Sequence, residues 1–191
     1  MSKPDRTMTR PLRADAARNR RAVLDAAARL FAERGFDVPM AEIADAAGVG
    51  RSTLLRNFPT RSDLAFAVFD QGMTDLRELA ARQTGQPGDF EALLDLKLDI
   101  YVRNGGLVEA AQRGEGLSKD FSAERLEVAE MFQRAAASAV AAGRMRPSLG
   151  VETFVVMLQA LSGAMLSGGT EAERRRKAQL VRRLLLDGLY L

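Results

Sequence analysis

Apolar side chains recur along this chain at every third or fourth position, and glycine or proline separates one such stretch from the next. This spacing places one apolar face along each of a series of α-helices. No stretch alternates apolar and polar residues as a half-buried strand does. The pattern therefore predicts an all-α fold of about nine helices. They cover residues 15–34, 39–47, 52–58, 61–81, 89–103, 107–112, 122–142, 151–167 and 171–189.

Local signals divide the chain into three regions. Residues 1–14 contain two prolines and little apolar material, which predicts a mostly disordered basic arm. Residues 15–60 hold three short helices, the first of which ends at Gly35. Residues 61–191 form a longer helical domain, and its first helix has Thr60 as a predicted N-cap with Asp63 as its capping-box partner.

Residues 40–58 have the form of a helix-turn-helix. Gly48 suits the left-handed residue that ends the first helix, because glycine has no Cβ to clash, and Val49 would fill the angle between the helices. The second helix would leave its polar side chains available for phosphates and base edges: Arg51, Ser52, Thr53, Arg56 and Asn57. A helical hairpin that only packs is the alternative reading of this motif.

The last two predicted helices are apolar over most of their surface. The first combines large apolar residues with small ones such as Ala160 and Gly163, and the second is rich in leucine. Helices of this kind are either buried in their own domain or shared with a second subunit. We expect a homodimer interface built from these two helices, with simple core burial as the alternative.

Composition excludes several classes of protein. Apolar residues make up 47% of the 191 positions, yet no apolar run is long enough to span a membrane, so we expect a soluble cytoplasmic protein. The chain has no cysteine and no histidine, which removes thiolate nucleophiles and the commonest metal ligand and general base. We therefore expect no enzyme, no cofactor and no metal site. An enzyme built on acid pairs such as Glu109 and Glu115 is a remote alternative.

Positive charge is concentrated at the start of the chain. The first 21 residues carry seven basic and two acidic side chains, although the net charge of the whole protein is only +3. A basic arm directly before a helix-turn-helix is typical of proteins that bind nucleic acid. We expect Arg13, Arg18 and Arg21 to add sequence-independent affinity for DNA, whereas an ordinary frayed terminus is the alternative.

The N-terminal region resembles the TetR family of bacterial transcriptional regulators. The resemblance lies in RAVLDAAARLFAERGF at residues 21–36, in AEIADAAGVGRSTLLRNF at residues 41–58, and in the following PTRSDL at residues 59–64. It covers about 50 residues. The rest of the chain matches the family in being helical, in its length and in its two apolar final helices.

The resemblance implies a homodimer that places one recognition helix per subunit in successive major grooves of a near-palindromic operator. Binding of a small molecule to the C-terminal domain would then release the DNA, as in a repressor. Gly50, Arg51 and Thr53 occupy the start of the recognition helix, Asn57 matches a frequent DNA-contact position, and Arg61 takes the place of a lysine that meets phosphate.

This chain departs from the family pattern at three places. Leu55 stands where the family usually has a tyrosine whose hydroxyl meets a phosphate, so only apolar contact, such as with a thymine methyl, is available there. Ser52 replaces a frequent glycine, and the link from Gly35 to Met40 is one residue short. A dimeric helical interaction protein whose DNA-reading head is degenerate is therefore the second function to weigh.

The ligand-binding residues are predicted from composition alone. Between residues 60 and 170 the chain offers mainly apolar and aromatic candidates with a few polar ones, which favours a mainly apolar small molecule. The candidates are Phe66, Phe69, Met73, Phe90, Tyr101, Asn104, Met131, Phe132, Met157 and Gln159.

Overall fold

The computed structural model describes residues 9–86, 88–104, 122–147, 150–165 and 169–191, with side chains from residue 15 onward. Eight helices lie in these ranges. They are α1 (Thr9–Arg34), α2 (Met40–Ala46), α3 (Arg51–Asn57), α4 (Arg61–Ala81), α5 (Asp89–Arg103), α6 (Ser122–Ala141), α7 (Val151–Met165) and α8 (Glu171–Leu189). The described residues contain no strand beyond an isolated bridge between Met145 and Tyr190. None of these helices has both the length and the hydropathy of a membrane-spanning segment.

The predicted all-α class is confirmed, and most helix bounds agree with the sequence pattern to within one or two residues. The main difference is at the N-terminus, where α1 begins at Thr9 and not at residue 15. Pro11 allows this because it lies in the first helical turn, where a missing N–H breaks no hydrogen bond. Residues 1–8 of the predicted arm and the predicted helix at 107–112 lie outside the described residues.

The buried side chains form two separate cores. The head core joins α1, α2, α3 and the first half of α4, with Phe31, Ile43, Leu54 and Leu64 almost completely buried. The body core joins the second half of α4 to α5, α6, α7 and α8. The head core includes residues of α4 as far as Val68, so α4 is part of both cores.

Helix α5 lies at the centre of the molecule and packs against α1, α4, α6, α7 and α8. Its crossing with α4 is close because Gly72 has no side chain. A Cβ on Gly72 would lie 3.0 Å from Cγ1 of Ile100, which is tighter than ordinary van der Waals contact. Glycine at this position thus lets the helix shared by the two cores sit directly on the central helix.

A buried arginine connects the body to the head. Arg174, in the first turn of α8, is 3% exposed, and its Nη2 donates to the carbonyl oxygen of Ala32 in the last turn of α1 at 2.9 Å. Its Nε donates to the carbonyl oxygen of Val102 at the end of α5 at 3.2 Å, and its Nη1 donates to Gly169. The carbonyl groups in the last turn of a helix lack partners within the helix and carry partial negative charge. The guanidinium of Arg174 therefore donates hydrogen bonds to carbonyl groups at the ends of two helices, one from each core.

We expect Arg174→Ala to destabilise the protein by roughly 2–4 kcal/mol, because it leaves buried carbonyl oxygens without donors and removes a packed side chain. Arg175→Ala is the matched control. Arg175 is exposed and, among the described residues, pairs with Glu171 one turn earlier on α8, so its loss should cost less than about 0.5 kcal/mol. Urea denaturation followed by circular dichroism measures both values, and equal stability of the two variants would contradict this role of Arg174.

Candidate nucleic-acid interface

Gly48 makes the turn between α2 and α3. Its φ is +66°, a left-handed conformation that side chains rarely adopt. The N–H of Gly48 donates to Asp45 at 3.1 Å, and the N–H of Val49 donates to Ala44 at 3.0 Å, which ends α2 within one residue. Val49 is half-buried against the head core, as expected for a residue that fills the angle between the helices. Gly50, with φ −65° and ψ 140°, then opens α3 as its N-cap.

Helix α3 has one buried face and one exposed polar face. Leu54 and the following Phe58 anchor it in the head core, with 0% and 3% exposure. The opposite face is exposed at Arg51, Ser52, Leu55, Arg56 and Asn57, while Thr53 is half-buried. The structure thus places the side chains proposed to contact DNA on the solvent side of a single short helix, apart from Thr53 at its edge.

Two of these side chains fold back along α3. Nη2 of Arg56 donates to Oγ1 of Thr53 at 3.2 Å, and Nδ2 of Asn57 donates to the carbonyl oxygen of Thr53 at 2.8 Å. Arg51, in the first turn of α3, has no hydrogen bond or ion pair with the part of the chain that the structure describes. Arg51 is therefore the arginine of this helix that can reach a base edge without breaking an existing contact.

Arg61 is held more firmly than the sequence suggests. Its guanidinium lies over the ring of Phe36, 5.3 Å from the centroid, and its Nη1 is 3.4 Å from Oδ1 of Asp37. The helix that it opens begins with the predicted capping box, in which the N–H of Asp63 donates to Oγ1 of Thr60 at 3.1 Å and the N–H of Thr60 donates to Asp63 at 3.0 Å. Arg61 would thus meet a phosphate as a fixed charge beside α3.

Leu55 is the second apolar side chain in a row on α3, but it does not share the burial of Leu54. It is 37% exposed, between the exposed Arg51 and Arg56. A leucine there offers methyl groups and no hydrogen bond, so its surface suits a thymine methyl better than a phosphate oxygen.

The arginines of α1 differ in their contacts and therefore in the roles that they can have. Arg21 forms ion pairs with Asp25 and with Asp75 of α4, each at 3.1 Å, and the hydrogen bond with Asp75 raises the pKa of Arg21. The guanidinium of Arg21 thus joins α1 to α4, and its contact with DNA stays a prediction. Arg18 is exposed and pairs with Asp15. The side chain of Arg13 lies outside the described residues.

Arg20 is a residue that the sequence analysis did not select. Its guanidinium lies 5.4 Å from the centroid of the Phe58 ring, at the C-terminal end of α3. Its guanidinium therefore lies where α1 meets the end of α3. The charge of the basic arm indicated that its arginines could bind DNA. Only the packing of α1 on Phe58 distinguishes Arg20 from its neighbours.

The predicted ligand residues are mostly core. Met73, Phe90, Tyr101, Met131, Phe132 and Met157 are buried in the body, while Phe66 and Phe69 are half-buried. The rings of Phe90 and Phe132 pack edge to face at 5.3 Å between centroids. Gln159 is exposed on α7 and so does not line the interior, contrary to the expectation.

One cavity lies between α1, α4 and α5, close to the junction of the two cores. Its volume is about 20 Å³, which is room for about one water molecule and far less than a small-molecule effector needs. Of the predicted ligand residues, Asn104 is the one that lines it. Within the described ranges, no three acidic side chains converge as a metal ion would require.

The sequence matches the family model described as bacterial regulatory proteins, tetR family, over residues 23–68. The crystal structure of a TetR transcription regulatory protein from Mycobacterium vanbaalenii is 31% identical, with a TM-score of 0.66 over 95% of this chain and 100% of that one. The regulator SCO0520 from Streptomyces coelicolor is 29% identical, with a TM-score of 0.68 over 90% of this chain and 98% of that one.

Among curated proteins, the HTH-type transcriptional regulator SAB2452 of Staphylococcus aureus is 31% identical over 108 residues. The match covers 54% of this chain and 58% of that protein, so the chain spans little more than half the length of this relative. The matched proteins are transcriptional regulators, and the model match covers α2, α3 and the buried first half of α4.

We expect Gly48→Ala to lower the free energy of unfolding by about 1–2 kcal/mol, since alanine is strained at a φ of +66°. No atom lies within 4 Å of the added Cβ, so the cost comes from the backbone alone. Gly188→Ala is the matched control, because Gly188 lies within α8 without a positive φ and nothing lies within 4 Å of its added Cβ. Thermal denaturation compares the pair, and an equal loss in both variants would contradict the role given to Gly48.

Proposed function

Because the chain belongs to the TetR family of transcriptional regulators, we propose that it acts as a homodimeric repressor that a small, mainly apolar ligand releases from a near-palindromic operator. The observation that carries this proposal is the exposed polar face of α3 beyond the Gly48 turn. A short helix that presents arginine, serine and asparagine to solvent, and is fixed from behind by Leu54, suits the major groove of DNA.

Different parts of the head would have different tasks on DNA. Arg51 is free of contacts with described residues and can form the bidentate contact to guanine that reads sequence. Arg61 and Arg20 are fixed against aromatic rings at the edge of the same surface, where a positive charge would meet the phosphate backbone. Base contacts then specify the operator, while the flanking arginines position the head.

We expect Arg51→Ala to weaken binding to the operator by roughly 10- to 100-fold and to relax specificity, because one good base contact is lost. Arg61→Ala should weaken binding to operator and random DNA alike, and should lower the slope of log affinity against log salt by about one. Fluorescence anisotropy with DNA from upstream of the protein's own gene, at several salt concentrations, measures both effects.

Arg82→Ala is the control for these variants, since Arg82 is an exposed arginine at the far end of α4 that pairs with Glu78. It should bind DNA as the unaltered protein does. An equal loss on operator and random DNA for Arg51→Ala would assign Arg51 to phosphate. If the unaltered protein has no sequence preference, the reading head is degenerate and the regulator proposal fails.

The dimer proposal is supported by the exposed surface of α7 and α8. Val156 on α7 and Leu180 and Leu184 on α8 are large apolar side chains that are more than half exposed, with Leu184 at 71%. Ala160 and Gly163 on α7 are exposed as well, and small residues let a second helix approach closely. Two such helices from each subunit would form a four-helix interface.

We expect Leu184→Glu to convert the dimer to a monomer, because it would place a charge at the centre of the proposed apolar interface. Leu126→Glu is the matched control, since Leu126 is an exposed leucine on α6 and not on either interface helix. Sedimentation velocity at micromolar protein concentration separates the two outcomes. A dimer that persists in Leu184→Glu, or dissociation in Leu126→Glu, would move the interface elsewhere.

Release by a ligand requires that the body act on the head, and two contacts support such coupling. Helix α4 carries buried side chains of both cores, and Arg174 joins α8 to the last turn of α1. A ligand that binds one arrangement of α4 and α5 more tightly would shift the population of head positions. The distance between the two heads of the dimer would then no longer match successive major grooves.

A further inference from the structure

Lys97 is a buried cation on the apolar side of α5. It is 6% exposed and lies among core residues of the body such as Leu93, Leu94 and Leu98. Its Nζ lies 4.7 Å from the centroid of the Tyr101 ring. No carboxylate of the described residues forms an ion pair with it, although buried lysines are rarely left without one.

A second cation makes the site more positive. Arg125, at the N-terminal end of α6, is half-buried, and α6 packs against α5. Burial, followed by the charge of Arg125, lowers the pKa of Lys97 to about 8. The body thus carries two positive groups on helices that pack together, and Lys97 forms no ion pair with a described carboxylate.

The nearby hydroxyl groups of Tyr101 and Ser162 do not supply a negative charge that would balance Lys97. The Tyr101 hydroxyl and Ser162 Oγ on α7 are 2.6 Å apart, and Ser162 Oγ donates to the carbonyl oxygen of Leu158 at 2.8 Å. The hydroxyl group of Ser162 has one hydrogen and donates it to Leu158. The hydroxyl group of Tyr101 must therefore be the donor to Ser162 Oγ. Both hydroxyl hydrogens are therefore used within the protein, and the donors still available at this site are those of Lys97 and Arg125.

A packing role alone does not explain this arrangement. An apolar residue such as methionine would fill the same volume without the cost of removing an ammonium group from water. Protein sites that bind charged ligands accept this cost, because the ligand supplies the counter-charge. The surrounding body core is apolar and aromatic, so the remainder of such a ligand would be apolar.

We propose that Lys97 and Arg125 bind the carboxylate of an apolar organic acid, between α5 and α6. Tyr101 would lie beneath the ammonium group of Lys97, and the apolar part of the acid would contact the phenylalanine and methionine side chains of the body. This inference rests on the proposed function, because it names the chemical class of the effector. The proposed effector is then an apolar molecule that carries a negative charge, and not an uncharged one.

The test measures the thermal stability of the full chain without DNA. Two carboxylates, decanoate and 1-naphthoate, are each compared with their uncharged methyl esters. We expect at least one carboxylate to raise the melting temperature of the unaltered protein well above the effect of its ester. Lys97→Met should weaken that carboxylate by roughly 10- to 100-fold in titration calorimetry, as expected for a lost charge-assisted hydrogen bond in a buried site.

Two further variants keep the result decisive. Lys177→Met on α8 removes one positive charge elsewhere and should bind the carboxylate normally, whereas Arg125→Gln should weaken it as Lys97→Met does. Without any ligand, Lys97→Met should melt at a higher temperature than the unaltered protein, because it removes a buried cation that has no ion pair among the described residues. A lower melting temperature would make Lys97 a structural residue and overturn the proposal.

The inference is also wrong if neither carboxylate exceeds its ester, or if Lys97→Met binds as tightly as the unaltered protein. Failure of the regulator proposal gives a different result. Carboxylate binding that depends on Lys97, without any preference for the upstream DNA, would retain the acid site and reject the regulator. Operator binding without carboxylate binding would retain the regulator and reject the acid site.

Discussion

The buried guanidinium of Arg174 is the contact on which the arrangement of head and body depends. It joins the first turn of α8 to the last turns of α1 and α5, and its partners are carbonyl groups that their own helices leave unsatisfied. The hydrogen bonds are directional and shielded from water, so they fix the angle between these helices more strictly than apolar packing does. Since α8 is also a proposed dimer helix, the same side chain would set the position of the head relative to a second subunit.

The other constraint is the division of α4 between two cores. Leu64 and Val68 belong to the head, Met73 and Leu76 belong to the body, and Gly72 between them lets α5 pack closely at Ile100. A displacement of α5 by a ligand would therefore move α4 without a compressible layer between them. The recognition helix α3 is anchored to α4 through the head core, so its position follows.

Local signals in the sequence predicted the helix-turn-helix and most helix ends, because those features depend on residues three or four positions apart. Gly48 and the pair of Thr60 and Asp63 are examples. The equivalent capping box of Thr170 and Glu173 was missed, although the same rule applies to it.

The remaining differences arise from contacts between distant segments. Nothing local distinguishes the buried Arg174 from the exposed Arg175 and Arg176, and the partner of Arg21 on α4 lies 54 positions away. The sequence already shows that Lys97 interrupts the apolar face of α5. The role proposed for Lys97 depends on Arg125 and Ser162, which lie on two other helices. The exposed polar face of α3 was therefore predictable in outline, while the contacts of Arg174 and the surroundings of Lys97 required the fold.

In the proposed dimer, two heads are held at a fixed separation by the paired bodies and read one operator. Hydroxyl-radical footprinting of the unaltered protein on DNA from upstream of its own gene tests this most directly. A dimer that enters successive major grooves should protect two segments on the same face of the duplex, with centres about 10 base pairs or a whole multiple of that apart. A single protected segment, or uniform protection without preferred positions, would contradict it.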